Sequence, residues 1–152
     1  MTRQHGVKKP IIFDSQGSNK IEREISLRLT AIRETFEELG ILLCSQPSSE
    51  ASTTPFSDYF HDKELDIPFW QKKIHNSNEN LMNFCEKFNL VPNIHGLYEW
   101  TVLLSMIFQQ NFRRYWTANF IVMLDSIPEC YPEDFEVDKF MVSRFKGCIH
   151  SL

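Results

Sequence analysis

The sequence predicts an α+β fold in a single domain spanning residues 1–152. Apolar residues recur at helical spacing up to a glycine at position 40, and a second helical pattern covers residues 69–88. Segments rich in β-branched, aliphatic or aromatic residues, at 41–44 and 115–124, are typical of strands. Helices and short strands within one chain fit the α+β class.

The first predicted helix follows a leader, residues 1–21, in which we expect one short strand at 11–13. Its apolar residues form one stripe that predicts a buried face. They are Ile25, Leu29, Ile32, Phe36 and Leu39. Gly40 stands where a C-capping glycine ends a helix, and residues 41–44 then predict a short buried strand.

The middle of the chain predicts less regular structure. Residues 45–55 are rich in Ser, Thr and Pro and indicate a loop, and residues 56–70 indicate an irregular segment in which Pro68 breaks any helix. The helical pattern of 69–88 predicts a packing helix with a break near 76–78. Residues 102–108 fit either a strand or a turn of buried helix.

Three carboxylates near the end of the first helix are the strongest functional signal. Glu34, Glu37 and Glu38 stand at positions i, i+3 and i+4, and so share one face. We expect this face to be exposed, opposite the apolar stripe. Carboxylates this close repel one another unless a cation lies among them, and Mg²⁺ or Mn²⁺ takes oxygen ligands. The alternative is a solvated acidic face without chemistry.

Composition excludes several other classes of function. The 16 basic and 20 acidic residues give a net charge of −4, which does not favour a nucleic-acid-binding surface. No apolar run is long enough to span a membrane, and the first residues do not resemble a signal peptide. The four cysteines are scattered without zinc spacing, so we expect reduced thiols in an intracellular protein.

The acidic pattern resembles the second half of the Nudix box, the metal-binding motif of a superfamily of nucleoside diphosphate hydrolases. The matching residues are Arg33, Glu34, Glu37, Glu38, Gly40 and Ile41. The resemblance implies that Glu34, Glu37 and Glu38 hold Mg²⁺ or Mn²⁺. It also implies catalytic roles for Arg33, which would orient Glu34, and for Glu34, with one of the acids helping to activate water.

The first half of the box is absent, because its glutamate would fall at Ile25 and its glycine at Asn19. Two further segments, 91–100 and 113–120, resemble the acyl-coenzyme A diphosphatases of the Nudix motif nineteen type, whose box carries a long insertion. This resemblance implies an α/β/α sandwich with a mixed sheet and an inserted helical segment. We therefore expect the chain to be an N-terminally truncated part of such a domain.

The same resemblance implies a small-molecule substrate, coenzyme A or acyl-coenzyme A. Its diphosphate would be cleaved to (acyl-)phosphopantetheine and adenosine 3′,5′-bisphosphate. Arg113 and Arg114 are candidates for phosphate binding, although alternation along a strand would point only one of them into the site. His95 is a conceivable general base, but a lone histidine is more often structural. Kinship implies a peroxisomal or mitochondrial protein, whereas no targeting signal is visible in this chain.

Three alternatives stay open at this stage. The first is a non-catalytic Nudix-like remnant or binding module. The second is a Nudix pyrophosphatase of another nucleoside diphosphate derivative. The third is an unrelated helical interaction protein whose acids have no chemical role.

Overall fold

A computed structural model describes residues 20–47, 56–77, 79–106 and 114–133. The predicted strand at 11–13 and most of the predicted loop at 45–55 lie outside these ranges. The elements, in chain order, are helix α1 (Lys20–Leu39), strand β1 (Cys44–Ser45), helices α2 (Ile67–His75) and α3 (Glu79–Lys87), strand β2 (Val91–Pro92), a 3₁₀ turn (Ile94–Gly96), and strands β3 (Leu97–Met106) and β4 (Arg114–Val122). The α+β class is confirmed.

Helix α1 is buried along its second half. Ile32 and Phe36 are fully enclosed, because α2 and the core strands pack against this part of the helix. Ile25, predicted to belong to the buried stripe, is instead 38% exposed. The apolar spacing correctly identified the inner face around Ile32 and Phe36, but none of the described elements buries the first turns of α1.

Gly40 ends α1 as predicted. It adopts a φ of +70°, and its backbone N–H donates to the carbonyl oxygen of Phe36 at 2.8 Å. Leu42, Leu43 and Cys44 then enter the core, which confirms the predicted buried segment. Regular strand pairing is shorter than expected, since β1 pairs antiparallel with β2 over two residues.

Helices α2 and α3 confirm the predicted break in the second helical pattern. The helix begins earlier than expected, however, and Pro68 lies in its first turn instead of breaking it. Proline is tolerated there because the first N–H groups of a helix have no intrahelical partner. Asp66 caps the same end, its Oδ1 accepting from the backbone N–H of Phe69 at 3.1 Å.

Strands β3 and β4 form an antiparallel pair from Leu97↔Val122 to Met106↔Arg114. The strand predicted at 115–124 is confirmed, and 102–106 is strand, not buried helix; residues 107 and 108 lie outside the described ranges. Within those ranges the strands form two separate antiparallel pairs, and none contributes to a mixed sheet.

An aromatic cluster forms the centre of the core. The ring of Phe84 meets Trp70 edge-on, with centroids 4.7 Å apart, and lies 4.5 Å from Phe88 and 6.0 Å from Phe36. These contacts join α1, α2 and α3 into one packed unit. No helix in the described part of the chain has the length and apolarity needed to cross a bilayer.

Candidate active-site groove

Two of the three predicted carboxylates face a groove between α1 and β4. Glu34 and Glu38, one helical turn apart, line this groove of about 520 Å³ together with Leu43 and Leu97. The Glu34 side chain is 44% exposed. The groove has the size of a small-molecule site and places two carboxylates on one wall.

Glu37 does not share that exposure. Only 5% of it is accessible, and both carboxylate oxygens have partners. Oε1 accepts from Nη1 of Arg33 at 2.8 Å, and Oε2 lies 3.0 Å from Nδ1 of His75. The expectation that all three acids lie exposed is therefore wrong for Glu37. This side of α1 is covered by α2, which the spacing of the acids alone does not reveal.

Arg33 lies between the two acidic positions. One guanidinium nitrogen donates to Glu37, while Nη2 donates to Oε1 of Glu34. The planar guanidinium offers several N–H groups in a fixed geometry and so holds two carboxylates at once. Arg33 thus links a buried acid to a groove-facing acid.

The end of α1 is tied to two other segments. Nε2 of the buried Gln71, in α2, donates to the carbonyl oxygens of Glu37 at 3.1 Å and Tyr131 at 2.8 Å. The backbone N–H groups of Tyr131 and Glu133 donate to the carbonyls of the last residues of α1 at 2.8 and 2.9 Å. These bonds fix the turn that carries Glu37 and Glu38.

Strand β4 forms the opposite wall of the groove, with Trp116, Thr117, Asn119 and Phe120 among the lining residues. Arg28 helps to hold this hairpin against α1. Its guanidinium lies 5.2 Å from the ring centre of Phe120 and donates to Glu99 and to the backbone carbonyls of Ile94, in the 3₁₀ turn, and Leu97, at the start of β3.

Three other predicted residues do not contribute a described side chain to the groove. His95 is exposed and lines a separate pocket, beside Arg28 and Glu24. Arg113 lies outside the described residues. Arg114 begins β4, where its backbone pairs with Met106, but its side chain is not described. The predicted phosphate-binding role of the two arginines stays a prediction.

Sequence reasoning missed His75 and Gln71. Both lie on α2 at polar positions, and no motif or charge pattern distinguishes them from neighbouring surface residues such as Lys72. Their contacts with Glu37 join residues 38 and 34 positions apart. Only the packing of α2 on α1 reveals them.

The donor set in the groove has the chemistry of a hard-cation site, since two carboxylates can supply oxygen ligands to Mg²⁺ or Mn²⁺. No group of three or more His, Cys, Asp or Glu side chains with suitable geometry occurs among the residues described. Among the three acids of α1, Glu34 and Glu38 line the groove, whereas Glu37 is held by Arg33 and His75.

A helix that ends at a glycine and carries acids on one wall of a groove fits the Nudix-type domain that the residues around Arg33 predicted. Residues 2–151 match the family model described as the NUDT19 Nudix domain. The chain belongs to this family.

Three similar relatives carry the name acyl-coenzyme A diphosphatase NUDT19. The protein from Xenopus laevis is 32% identical over 130 residues, 83% of this chain. The proteins from Gallus gallus and Homo sapiens are 30% and 24% identical over 82% and 81% of this chain. The matched parts cover 34%, 36% and 33% of these relatives, so the chain spans about a third of their length. No solved structure gives a significant match.

Proposed function

We propose that this chain carries the catalytic helix of a metal-dependent hydrolase that cleaves the diphosphate of coenzyme A or acyl-coenzyme A. The products would be (acyl-)phosphopantetheine and adenosine 3′,5′-bisphosphate. The observation that carries the proposal is that Glu34 and Glu38 line one groove while Arg33 bridges Glu34 to a buried acid. Family membership and the names of the relatives support the substrate class.

In this proposal Glu34 and Glu38 hold the cation. A bound Mg²⁺ or Mn²⁺ would polarise the diphosphate and lower the pKa of a water molecule attached to it. Arg33 keeps Glu34 directed at the groove, because a carboxylate that accepts a charge-assisted hydrogen bond loses rotational freedom. Glu37, also predicted as a ligand, supports Arg33 from behind in the arrangement seen here.

The β4 wall supplies the surface on which we place the organic part of the substrate. Trp116 and Phe120 are separated by an even number of strand positions, so their aromatic rings share one face of β4. Aromatic faces of this kind stack on adenine. The proposed substrate would thus have its diphosphate near the acids of α1 and its remaining atoms along β4.

The test is cleavage of coenzyme A by the full chain in the presence of Mg²⁺ or Mn²⁺, followed by chromatographic measurement of adenosine 3′,5′-bisphosphate. The Glu38→Gln variant keeps the shape of the side chain and removes its charge, so we expect turnover to fall by about 100-fold or more. Glu22→Gln, an exposed acid in the first turn of α1, is the matched control and should retain activity. Equal rates for wild type and Glu38→Gln would show that this helix takes no part in the cleavage.

Two other functions are separated by the same assay. Faster release of AMP from ADP-ribose than of adenosine 3′,5′-bisphosphate from coenzyme A would indicate a Nudix pyrophosphatase of another derivative. The second candidate is a non-catalytic Nudix-like binding module. That candidate predicts Mn²⁺ binding, measured by electron paramagnetic resonance, without turnover of either compound.

A further inference from the structure

We infer that His75 is a positioning residue that acts through Glu37 and Arg33 to hold Glu34 in the groove. The catalytic consequence of this inference rests on the function proposed above, whereas the structural part does not. His75 is the last residue of α2 and lies outside the sequence motif that carries the acids.

The contacts form one continuous chain across two helices. Nδ1 of His75 lies 3.0 Å from Oε2 of Glu37, whose Oε1 accepts from Nη1 of Arg33 at 2.8 Å. Nη2 of Arg33 then donates to Glu34, which lines the groove. An ionised carboxylate only accepts hydrogen bonds, so the His75–Glu37 contact requires the histidine proton on Nδ1.

Burial explains why Glu37 needs both partners. Its side chain is only 4% exposed, and a buried charge is costly unless it is paired and hydrogen-bonded. With His75 in place, Oε2 of Glu37 pairs with the imidazole and Oε1 accepts from Arg33. Arg33 therefore donates to Glu37 through only one of its two terminal nitrogens. The other nitrogen stays available for Glu34.

Loss of His75 changes this division. The unpaired Oε2 would draw the second guanidinium nitrogen, because arginine and carboxylate form a favourable bidentate pair. Arg33 would then leave Glu34, which is partly exposed and would rotate freely. The His75 side chain itself is 61% exposed, so its removal should disturb this geometry without opening the core.

Two variants of His75 test the inference by placing an amide N–H donor at different distances from Cα. The amide nitrogen of asparagine stands at the same number of bonds from Cα as Nδ1 of histidine, whereas that of glutamine corresponds to Nε2. We expect His75→Ala to lower kcat for coenzyme A by about 10-fold while KM stays within about twofold. His75→Asn should restore most of kcat, and His75→Gln should not.

The matched control is Lys72→Ala, an exposed position on the same helix, which should leave kcat unchanged. Thermal unfolding of all four variants should coincide with that of wild type. An unchanged kcat in His75→Ala, or a failure of asparagine to restore it, would overturn the inference.

A second measurement does not depend on activity. In wild type, Arg33 donates to two different carboxylates. Its guanidinium N–H resonances in ¹⁵N NMR spectra should therefore change chemical shift in His75→Ala, where both terminal nitrogens would pair with Glu37, and return to the wild-type positions in His75→Asn. If wild type fails to cleave coenzyme A, the proposed function falls, and the Arg33 spectra still decide the positioning role. Arg33 resonances unaffected by His75→Ala would refute that role.

Discussion

Gly40 determines the direction in which the chain leaves α1. Its φ of +70° lies in the left-handed region, and a Cβ at this position would stand 2.8 Å from Cγ2 of Ile67 and 3.1 Å from Cβ of Tyr131. Glycine therefore satisfies two requirements at once, the backbone conformation and the close approach of α2 and the 131–133 segment.

We predict that Gly40→Ala lowers the free energy of unfolding by about 3 kcal/mol, since left-handed backbone and overpacking each cost on the order of 1–2 kcal/mol. Urea unfolding followed by tryptophan fluorescence measures this change. Combining it with Ile67→Leu, which removes the Cγ2 branch, should recover part of the loss. A change below about 0.5 kcal/mol in the single variant would contradict the strained geometry.

At the scale of elements, α2 organises the end of α1. Gln71 holds two backbone carbonyls from separate segments, and His75 reaches Glu37 one turn further along the same helix. The packing of these two helices thus supplies polar contacts that the Nudix motif itself does not contain. We therefore expect substitutions in α2 to alter the positions of the carboxylates on α1.

Replacing Gln71 by methionine retains the volume and removes both hydrogen bonds. We expect a loss of about 1–3 kcal/mol, because buried carbonyl oxygens are left without a donor. The midpoint of urea unfolding reports the effect. Lys72→Met, at the adjacent exposed position, serves as control and should change stability by no more than about 0.5 kcal/mol.

At the scale of the whole molecule, the thiols of Cys44 and Cys85 report on the integrity of the core. Their sulfur atoms lie 3.9 Å apart, where β1 packs on α3, and both residues are buried. The hydrogen bond with Cys85, together with burial, raises the pKa of the Cys44 thiol far above its ordinary value. The same hydrogen bond lowers the pKa of Cys85.

Iodoacetamide at pH 8 should therefore modify Cys44 and Cys85 at least about 100-fold more slowly in the folded chain than in urea. Cys44 resists because it stays protonated, and both resist because the core must open before the reagent can enter. Peptide mass spectrometry gives the rate at each site. The half-buried Cys130 should react faster than either. Equal rates in native buffer and in urea would show that the core is not packed as described.

The sequence alone identified the local features of this protein. Helical periodicity located the buried face around Ile32 and Phe36, and the capping rule placed the turn at Gly40. The spacing of Arg33 and its acids pointed to the family to which the chain belongs. These features depend on residues within a few positions of one another, which is the range over which sequence patterns constrain structure.

Tertiary structure alone decided the roles of the individual acids. The sequence placed Glu34, Glu37 and Glu38 on one helix face, but whether that face is covered depends on α2, which begins 28 residues after the end of α1. Packing of α2 buries Glu37 against His75 and leaves Glu34 and Glu38 facing the groove. Periodicity specifies which residues share a side of a helix, whereas contacts between distant segments determine which of those residues meet solvent, another helix or a ligand.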